Sequence, residues 1–343
     1  MVNLDLDVED YLKSLNEWGY SENKECLIVG TIPPPIGGVS THISRLLLIL
    51  RKSNISYKVH DPSKKNRGFN FWGLLFNILY KRYDQVHIHT PSLQILYAIL
   101  VARFFFRFEI FLFAHNPIFY SDESKHFNKT LDKLLDRVSQ INAVSNIAKE
   151  AIVETRPHLE EKIFVKSSFL PPDITELTKI KQSYPDSLKI FLKEHSPIII
   201  LNAYRIHFKE GIDVYGLDLS IELLIRLSKK YPDIGMIFAL GIRNSSSEYL
   251  ESQVIKLEEN NLSSHFYILD GFQELWALFS DCDLMIRPTL YDGYGISVSE
   301  AIMMGTKVVA SDLTNRQKEC IVFENRNIDS LEKVSHEVLS GLK

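Results

Sequence analysis

Cysteine is scarce in this sequence. Only Cys26, Cys282 and Cys320 occur in 343 residues. They form neither a CxxC pair nor a metal-ligand spacing, and an odd count suits free thiols in a reducing compartment. Long hydrophobic runs are also missing. The most apolar window, 93–113, is interrupted by Arg103, Arg107 and Glu109, so it reads as a helix followed by a strand rather than a membrane span. The N-terminus, MVNLDLDVEDYLKSLNEW, is acidic and lacks an apolar centre flanked by Lys or Arg, so no secretory signal is expected. Nor is there an excess of positive charge. The formal net charge is −4, which gives non-specific nucleic-acid binding no electrostatic support. A cytoplasmic protein is the expectation. What is present is an ordinary globular balance, 45% hydrophobic and 24% charged, which excludes intrinsic disorder. The length suits two domains, each large enough to bury a core.

Strand-like and helical runs alternate along the chain. Strands are expected at 26–31, 57–60, 85–90, 109–114, 140–145 and 162–167, with helices between them such as 40–52, 71–83 and 92–106. The stretch 170–196 changes character. It carries Pro171, Pro172 and Pro185 amid charged residues, with Pro197 just beyond, and reads as an interdomain connection. A second series follows, with strands at 198–203, 234–240, 266–270, 283–287 and 307–310 and helices between and after them. Short apolar strands alternating with helices imply parallel sheets covered on both faces. The expected fold class is therefore α/β, with two doubly wound Rossmann-like domains facing a cleft. The expected division is a helical extension over 1–24, one domain over 25–184 and a second over 185–343. Ligands of such sheets bind at the carboxyl ends of the strands.

The most informative segment runs from Arg287 to Asp312. A strand ends at Arg287-Pro288, a glycine-containing loop follows, and a helix begins near Ser297. Gly293 and Gly295 permit close backbone approach, and free amides at the helix start suit a diphosphate. Glu300 is placed to accept hydrogen bonds from ribose hydroxyls. Ser297-Val-Ser-Glu300 is also a capping box, in which Glu300 serves only the helix start. A second constellation follows the strand 198–203. Arg205 and Lys209 there suit the charge that builds on a leaving diphosphate, or are simply exposed loop charges.

Other signals are weaker. Gly37-Gly38 lies between the first strand and first helix, yet it is neither GxGxxG nor a Walker loop, because no Lys-Ser/Thr follows. Gly271-Phe272 follows the strand 266–270, and His115 follows the strand 109–114. His87 and His89 alternate on one strand and share a face. No carboxylate or cysteine cluster completes a site around them, so no metal is expected. Lys64, Lys65 and Arg67 precede an aromatic run at 69–72, a combination suited to anionic lipid. Arg103 and Arg107 flank Phe104–Phe106, for which a buried helix with solvated charges is the preferred reading.

The segment from Arg287 to Asp312 resembles the donor-site signature of retaining GT-B glycosyltransferases, in particular glycosyltransferase family 4. That signature has two acids separated by seven residues, with Gly-aromatic-Gly after the first. Asp292 and Glu300 have this separation around Gly293-Tyr294-Gly295. The first acid is usually Glu, so Asp292 is a departure. The resemblance implies that Glu300 binds the ribose and that Asp292, Gly293, Tyr294, Gly295 and Ile296 lie near the donor sugar and phosphates. It also implies a diphosphate clamp of Arg205 and Lys209, backbone contacts from Gly37, Gly38, Gly271 and Phe272, and His115 beside the sugar. His115, Asp292, Arg205 and Lys209 are then the candidate catalytic residues. Tyr215-Gly216-Leu217-Asp218 resembles a variant of polysaccharide-assembly members.

The implied activity is transfer of a hexosyl or N-acetylhexosaminyl unit, with retention, from a nucleoside diphosphate sugar. The acceptor is a glycan or lipid-linked oligosaccharide in bacterial-type surface polysaccharide assembly, with the donor-side domain C-terminal and the acceptor-side domain N-terminal. No cofactor beyond the sugar nucleotide is implied, and peripheral contact with the inner face of an anionic membrane is. Two alternatives stay open: a sugar-nucleotide epimerase of the same fold, and a non-catalytic partner subunit of a glycosyltransferase complex.

Overall fold

The computed structural model describes residues 15–33, 37–63, 67–115, 125–166, 169–243, 247–271, 274–292, 294–313 and 316–341. The chain divides into two compact units between Leu170 and Pro171.

The N-terminal unit is built on a six-stranded parallel sheet of order β2-β1-β3-β4-β5-β6. Its strands are β1 (Cys26–Val29), β2 (Tyr57–His60), β3 (Gln85–Ile88), β4 (Glu109–Ala114), β5 (Gln140–Ala143) and β6 (Ile163–Val165). The helices Gly38–Lys52, Arg67–Lys81, Leu93–Phe105, Lys125–Leu135 and Asn146–Thr155 connect them. β1 and β3 are buried along their whole length, as apolar strands covered on both faces must be.

The described part of the N-terminal segment, from Leu15 onward, packs into the N-terminal unit. Leu15, Trp18 and Tyr20 are buried in one cluster with Ile28, Ile43, Leu46, Phe111 and Phe113. Burying each such side chain contributes roughly 1.5–3 kcal/mol, so Leu15, Trp18 and Tyr20 belong to the unit's core. Gly19 allows the approach. Its φ is +90°, and a Cβ there would lie 2.0 Å from the Phe111 ring.

The C-terminal unit repeats the plan with the order β11-β10-β7-β12-β13-β14. Its strands are β7 (Ile198–Ala203), β10 (Gly235–Leu240), β11 (Phe266–Asp270), β12 (Leu284–Arg287), β13 (Lys307–Ser311) and β14 (Ile321–Phe323). A short hairpin, β8 (Phe208–Lys209) and β9 (Ile212–Asp213), stands apart from this sheet. The expected strands are all present with slightly trimmed ends, whereas β14 and the hairpin were not expected. The boundary at 184/185 moves to 170/171. The stretch read as a connection contains the helices Leu177–Ser183 and Asp186–Glu194. Tyr184, Leu188 and Phe191 bury themselves against β7 and β10 in this unit.

The sheet order sets the site. From β7 the chain builds outward through β10 and β11, then returns to add β12, β13 and β14 on the other side of β7. The loops leaving β7 and β12 therefore diverge at the strands' carboxyl ends, the switch point where open α/β sheets leave a crevice.

Candidate functional site

The loop after β12 is organised by a buried carboxylate. Arg287 Nε donates to Asp292 Oδ2 at 2.8 Å and Nη2 donates to Oδ1 at 3.2 Å. Arg316 Nη1 donates to the same Oδ2 at 3.1 Å. The three side chains are only 9%, 5% and 12% exposed for Arg287, Arg316 and Asp292. Burial alone would raise the Asp292 pKa. The two guanidiniums outweigh it and hold this carboxyl below its ordinary value. The remaining guanidinium donors are also placed. Arg287 Nη1 donates to the Asn202 carbonyl at 2.9 Å, tying the end of β7 to the end of β12. Arg316 Nη2 donates to Thr289 Oγ1 at 2.7 Å and Ser311 Oγ at 2.8 Å.

Asp292 is thereby tied into the framework of its own loop. Both carboxylate oxygens are engaged by arginine, and its evident work is to hold the loop and two buried cations. A Glu here would carry the carboxylate one methylene further, into the guanidinium pair. The Asp fits the short reach from the loop to Arg287.

Gly295 begins the helix Ile296–Met303 with φ +71°. That conformation disfavours any side chain, and a Cβ would sit 3.4 Å from Asp292 Oδ2. Because the helix is capped at Gly295, Ser297 and Glu300 lie inside it, and no side chain caps this start. The capping-box reading of Glu300 thus lacks its geometry. Glu300 is buried at 6% exposure, on the second turn behind the loop. Gln317 Nε2 fixes the loop exit by donating to the Tyr294 carbonyl at 2.9 Å and Ser299 Oγ at 3.0 Å.

The loop after β7 meets this one through its backbone. Leu290 N donates to the Val214 carbonyl at 2.8 Å. Gly216, φ +70°, begins the helix Leu217–Ser228, and a Cβ there would lie 2.3 Å from the Pro288 carbonyl oxygen. This supplies a physical reason for Tyr215-Gly216-Leu217-Asp218. Tyr215 lies under the Arg287 guanidinium at 5.3 Å from its ring centroid, Gly216 lets the two loops touch, and Asp218 pairs with Arg326. Asp213 accepts from the Tyr215 and Leu217 amides at 3.0 and 2.7 Å, serving the helix start. Gly216→Ala is expected to destabilise the C-terminal unit by on the order of 1–3 kcal/mol, from strain plus the Pro288 clash. Chemical denaturation checks this, and an unchanged midpoint would contradict the contact.

Arg205 and Lys209 are exposed on this loop. Lys209 Nζ sits 5.3 Å from the Tyr291 ring centroid, which brings it over the β12 loop. The structure thus gathers Arg205, Lys209, Asp292, Tyr294, Gly295, Ile296 and Glu300 on the two loops at the switch point. Gly271, φ +60° with open space around it, follows β11 at the same sheet edge. Phe272 and Gly293 lie outside the described residues. Gly37, Gly38 and His115 belong to the N-terminal unit, at the carboxyl ends of β1 and β4. Gly37 is extended at φ −164°, which any residue adopts, and it precedes the helix Gly38–Lys52.

Residues 187–336 match the family model of Glycosyl transferases group 1. The matched span contains both switch-point loops. The serotype-specific mannosyltransferase WbdA of Escherichia coli is 24% identical over 221 residues, covering 60% of this chain and 25% of that protein. The match thus spans about a quarter of the length of that curated relative. Solved structures match nearly the whole chain. Anabaena Alr3699/HepE in complex with UDP aligns with TM-score 0.68 at 13% identity, covering 93% of this chain and 91% of that one. The glycosyltransferase from Rickettsia africae ESF-5 aligns with TM-score 0.68 at 17% identity, covering 93% and 89%. The fold is that of the GT-B glycosyltransferases.

Reasoning from the sequence missed Arg316, Thr289, Asn202 and Gln317, and it read Arg287 only as a strand end. Arg287 had a signal, a cation closing the apolar strand Leu284–Arg287 five residues before an acid. Arg316 had none.

Proposed function

We propose that the chain is a retaining glycosyltransferase of family 4 type, using a nucleoside diphosphate sugar held at the C-terminal switch point. The observation that carries this reading is the joining of the loops after β7 and β12 by Leu290–Val214, Gly216–Pro288 and Lys209–Tyr291. That joining sets two exposed cations, a glycine-led helix start and a buried acid beside one crevice. Helix-start amides and cations suit a diphosphate, and Glu300 suits ribose hydroxyls. The cations supply positive potential as the diphosphate departs, and in this reading the leaving phosphate takes the acceptor proton.

The UDP named with Alr3699/HepE makes a uridine nucleotide the first donor to try, and the mannosyltransferase relative makes mannose the first sugar. The donated unit is a hexosyl or N-acetylhexosaminyl group, and the product a surface polysaccharide built on a glycan or lipid-linked acceptor. The test is a panel of sugar nucleotides with and without acceptor glycans, reading released nucleoside diphosphate and the product anomer. Transfer with retention supports the proposal. A rearranged sugar nucleotide from donor alone would instead make the chain an epimerase. Binding without turnover across the panel would make it a non-catalytic partner.

Glu300→Gln is expected to weaken nucleotide binding by about 1.5–3 kcal/mol, roughly 10- to 150-fold, through loss of a charged hydrogen bond. Calorimetry on the folded variant measures it. A fall in melting temperature with unchanged nucleotide affinity would remove the ribose assignment.

The acceptor side of the proposal includes an anionic membrane surface. No helix among the described residues is long and apolar enough to cross a membrane. The helices Arg67–Lys81 and Leu93–Phe105 pack together and expose an aromatic face. Trp72 is 57% exposed and Phe76 63%, while Phe104 is 86% exposed and Phe105 61%. The expectation that Phe104–Phe106 lies buried is therefore corrected for its first two residues. Lys81, Arg82, Arg103 and Arg107 lie on or just beyond the same helices, so aromatic insertion and attraction to anionic headgroups act together. Lys64 and Lys65 lie outside the described residues. Flotation with anionic vesicles is expected to carry the chain upward at low salt, and paired Phe104→Ser and Phe105→Ser substitutions to abolish this. No flotation of the parent chain would remove the membrane contact and leave the transferase reading untouched.

A further inference from the structure

The fold assembles a histidine cluster in the N-terminal unit that the sequence spacing did not reveal. His89 leaves β3, His115 leaves β4, and His42 stands on the first helix after β1. Three segments that are adjacent only in the folded sheet thus meet at one edge. Each ring offers a nitrogen, and the three nitrogens lie within 4.8 Å of one another. His89 Nδ1 and His115 Nε2 are 3.1 Å apart. In a tetrahedral zinc shell with Zn–N about 2.0–2.1 Å, two ligand nitrogens stand about 3.3–3.4 Å apart. One pair is thus already near that separation, and the widest needs a ring movement on the order of 1 Å to close.

His87, the other half of the His-x-His pattern, is excluded by packing. It is stacked between the Tyr20 ring at 3.9 Å and the Phe111 ring at 4.6 Å. The cluster is instead a triad drawn from three elements, where the sequence pattern led to the expectation of no metal.

The surroundings suit a metal. His42 and His89 are almost fully buried and His115 is partly exposed, which leaves a path from solvent. On its far side His89 Nε2 is 3.2 Å from Tyr20 Oη. That is an outer partner of the kind a ligating histidine has, and it can accept from Nε2–H once Nδ1 binds the ion. Without metal, one proton bridges His89 and His115. On binding, each ligating ring carries its proton on the outer nitrogen, and at His89 Tyr20 Oη accepts it.

We infer that His42, His89 and His115 form a binding site for a zinc-class divalent ion, with three imidazole ligands and a fourth position open to water. The site shares His115 with the candidate donor-site residues, so its test is read from metal binding without nucleotide and does not depend on transfer activity. Three neutral imidazoles with no thiolate or carboxylate favour zinc or cobalt over magnesium or calcium.

The full chain, free of any added histidine tag and stripped with a chelator, is titrated with Co²⁺ and followed by visible absorption. One equivalent is expected to give the bands of a four-coordinate site. Zn²⁺ is expected to displace them and to raise the melting temperature of the chain. His115→Ala, at the partly exposed ligand, is expected to weaken binding by more than about 100-fold, beyond the 10- to 100-fold typical of outer-shell partners. His158→Ala, an exposed histidine outside the cluster, is expected to leave binding unchanged. The wild-type titration stands whether or not a ligand variant folds. Absence of one-equivalent bands in the wild type overturns the site, and so does their survival in both His115→Ala and His42→Ala.

Discussion

Asp292→Asn is expected to destabilise the C-terminal unit by about 3–5 kcal/mol, the usual consequence of removing one member of a buried ion pair. The reason is what it leaves behind. Arg287 and Arg316 are both nearly buried, and both direct donors at this one carboxylate. An amide keeps the shape and one acceptor oxygen but removes the carboxylate charge paired with these two cations. The loss is expected in a denaturation midpoint measured without any ligand. An Asp292 that served only to touch sugar would give an unchanged midpoint and a slower turnover. The pH dependence has a definite sign. Asp292 is held below its ordinary value in the folded chain, so its contribution is fully present above the unfolded carboxyl pKa of about 3.9 and fades as pH falls through the lower folded value. The wild type is expected to lose this stability on acidification below about pH 4, and the variant to have a flatter profile there.

Arg205→Ala and Lys209→Ala are each expected to lower kcat by about 10²–10³-fold, the range for removing one preorganised group aimed at developing charge. Nucleoside affinity is expected to change little, because base and ribose are held elsewhere. Folding is expected to change little as well. Both residues are exposed, and the Lys209–Tyr291 contact is worth only about 0.5–1 kcal/mol at such a site. Steady-state kinetics beside nucleoside titration separates these quantities. Equal losses in nucleoside affinity and kcat would assign the two residues to ground-state binding instead.

Most of the fold was legible because short strand-like runs alternate regularly with helical ones. Tyr57–His60, Glu109–Ala114, Ile198–Ala203 and Phe266–Asp270 have the bounds their composition suggests. The helices within 170–196 were not legible, because prolines mark helix starts as well as linkers. Pro185 immediately precedes Asp186–Glu194, where its missing N–H costs nothing. At the site, the two glycine-led loops could be read from their spacing, and so could the cations after β7. The role of Asp292 could not, since its second partner, Arg316, comes from 24 residues further along the chain. Glu300 had two local readings, and the helix start at Gly295 bears on the capping-box one alone. The histidine triad depends on strand order. His42, His89 and His115 meet because β1, β3 and β4 are consecutive in the sheet, which no local pattern encodes.

The central claim is that a sugar nucleotide occupies the crevice between the loops after β7 and β12. Amide hydrogen exchange on the intact chain, with and without each of a panel of nucleoside diphosphates and their sugars, tests it most directly. The account predicts that one nucleotide slows exchange at 204–216 and 288–300 together, and that Glu300→Gln abolishes this protection at the same concentration. Protection confined to other segments, or none with any nucleotide that the chain binds, would contradict it.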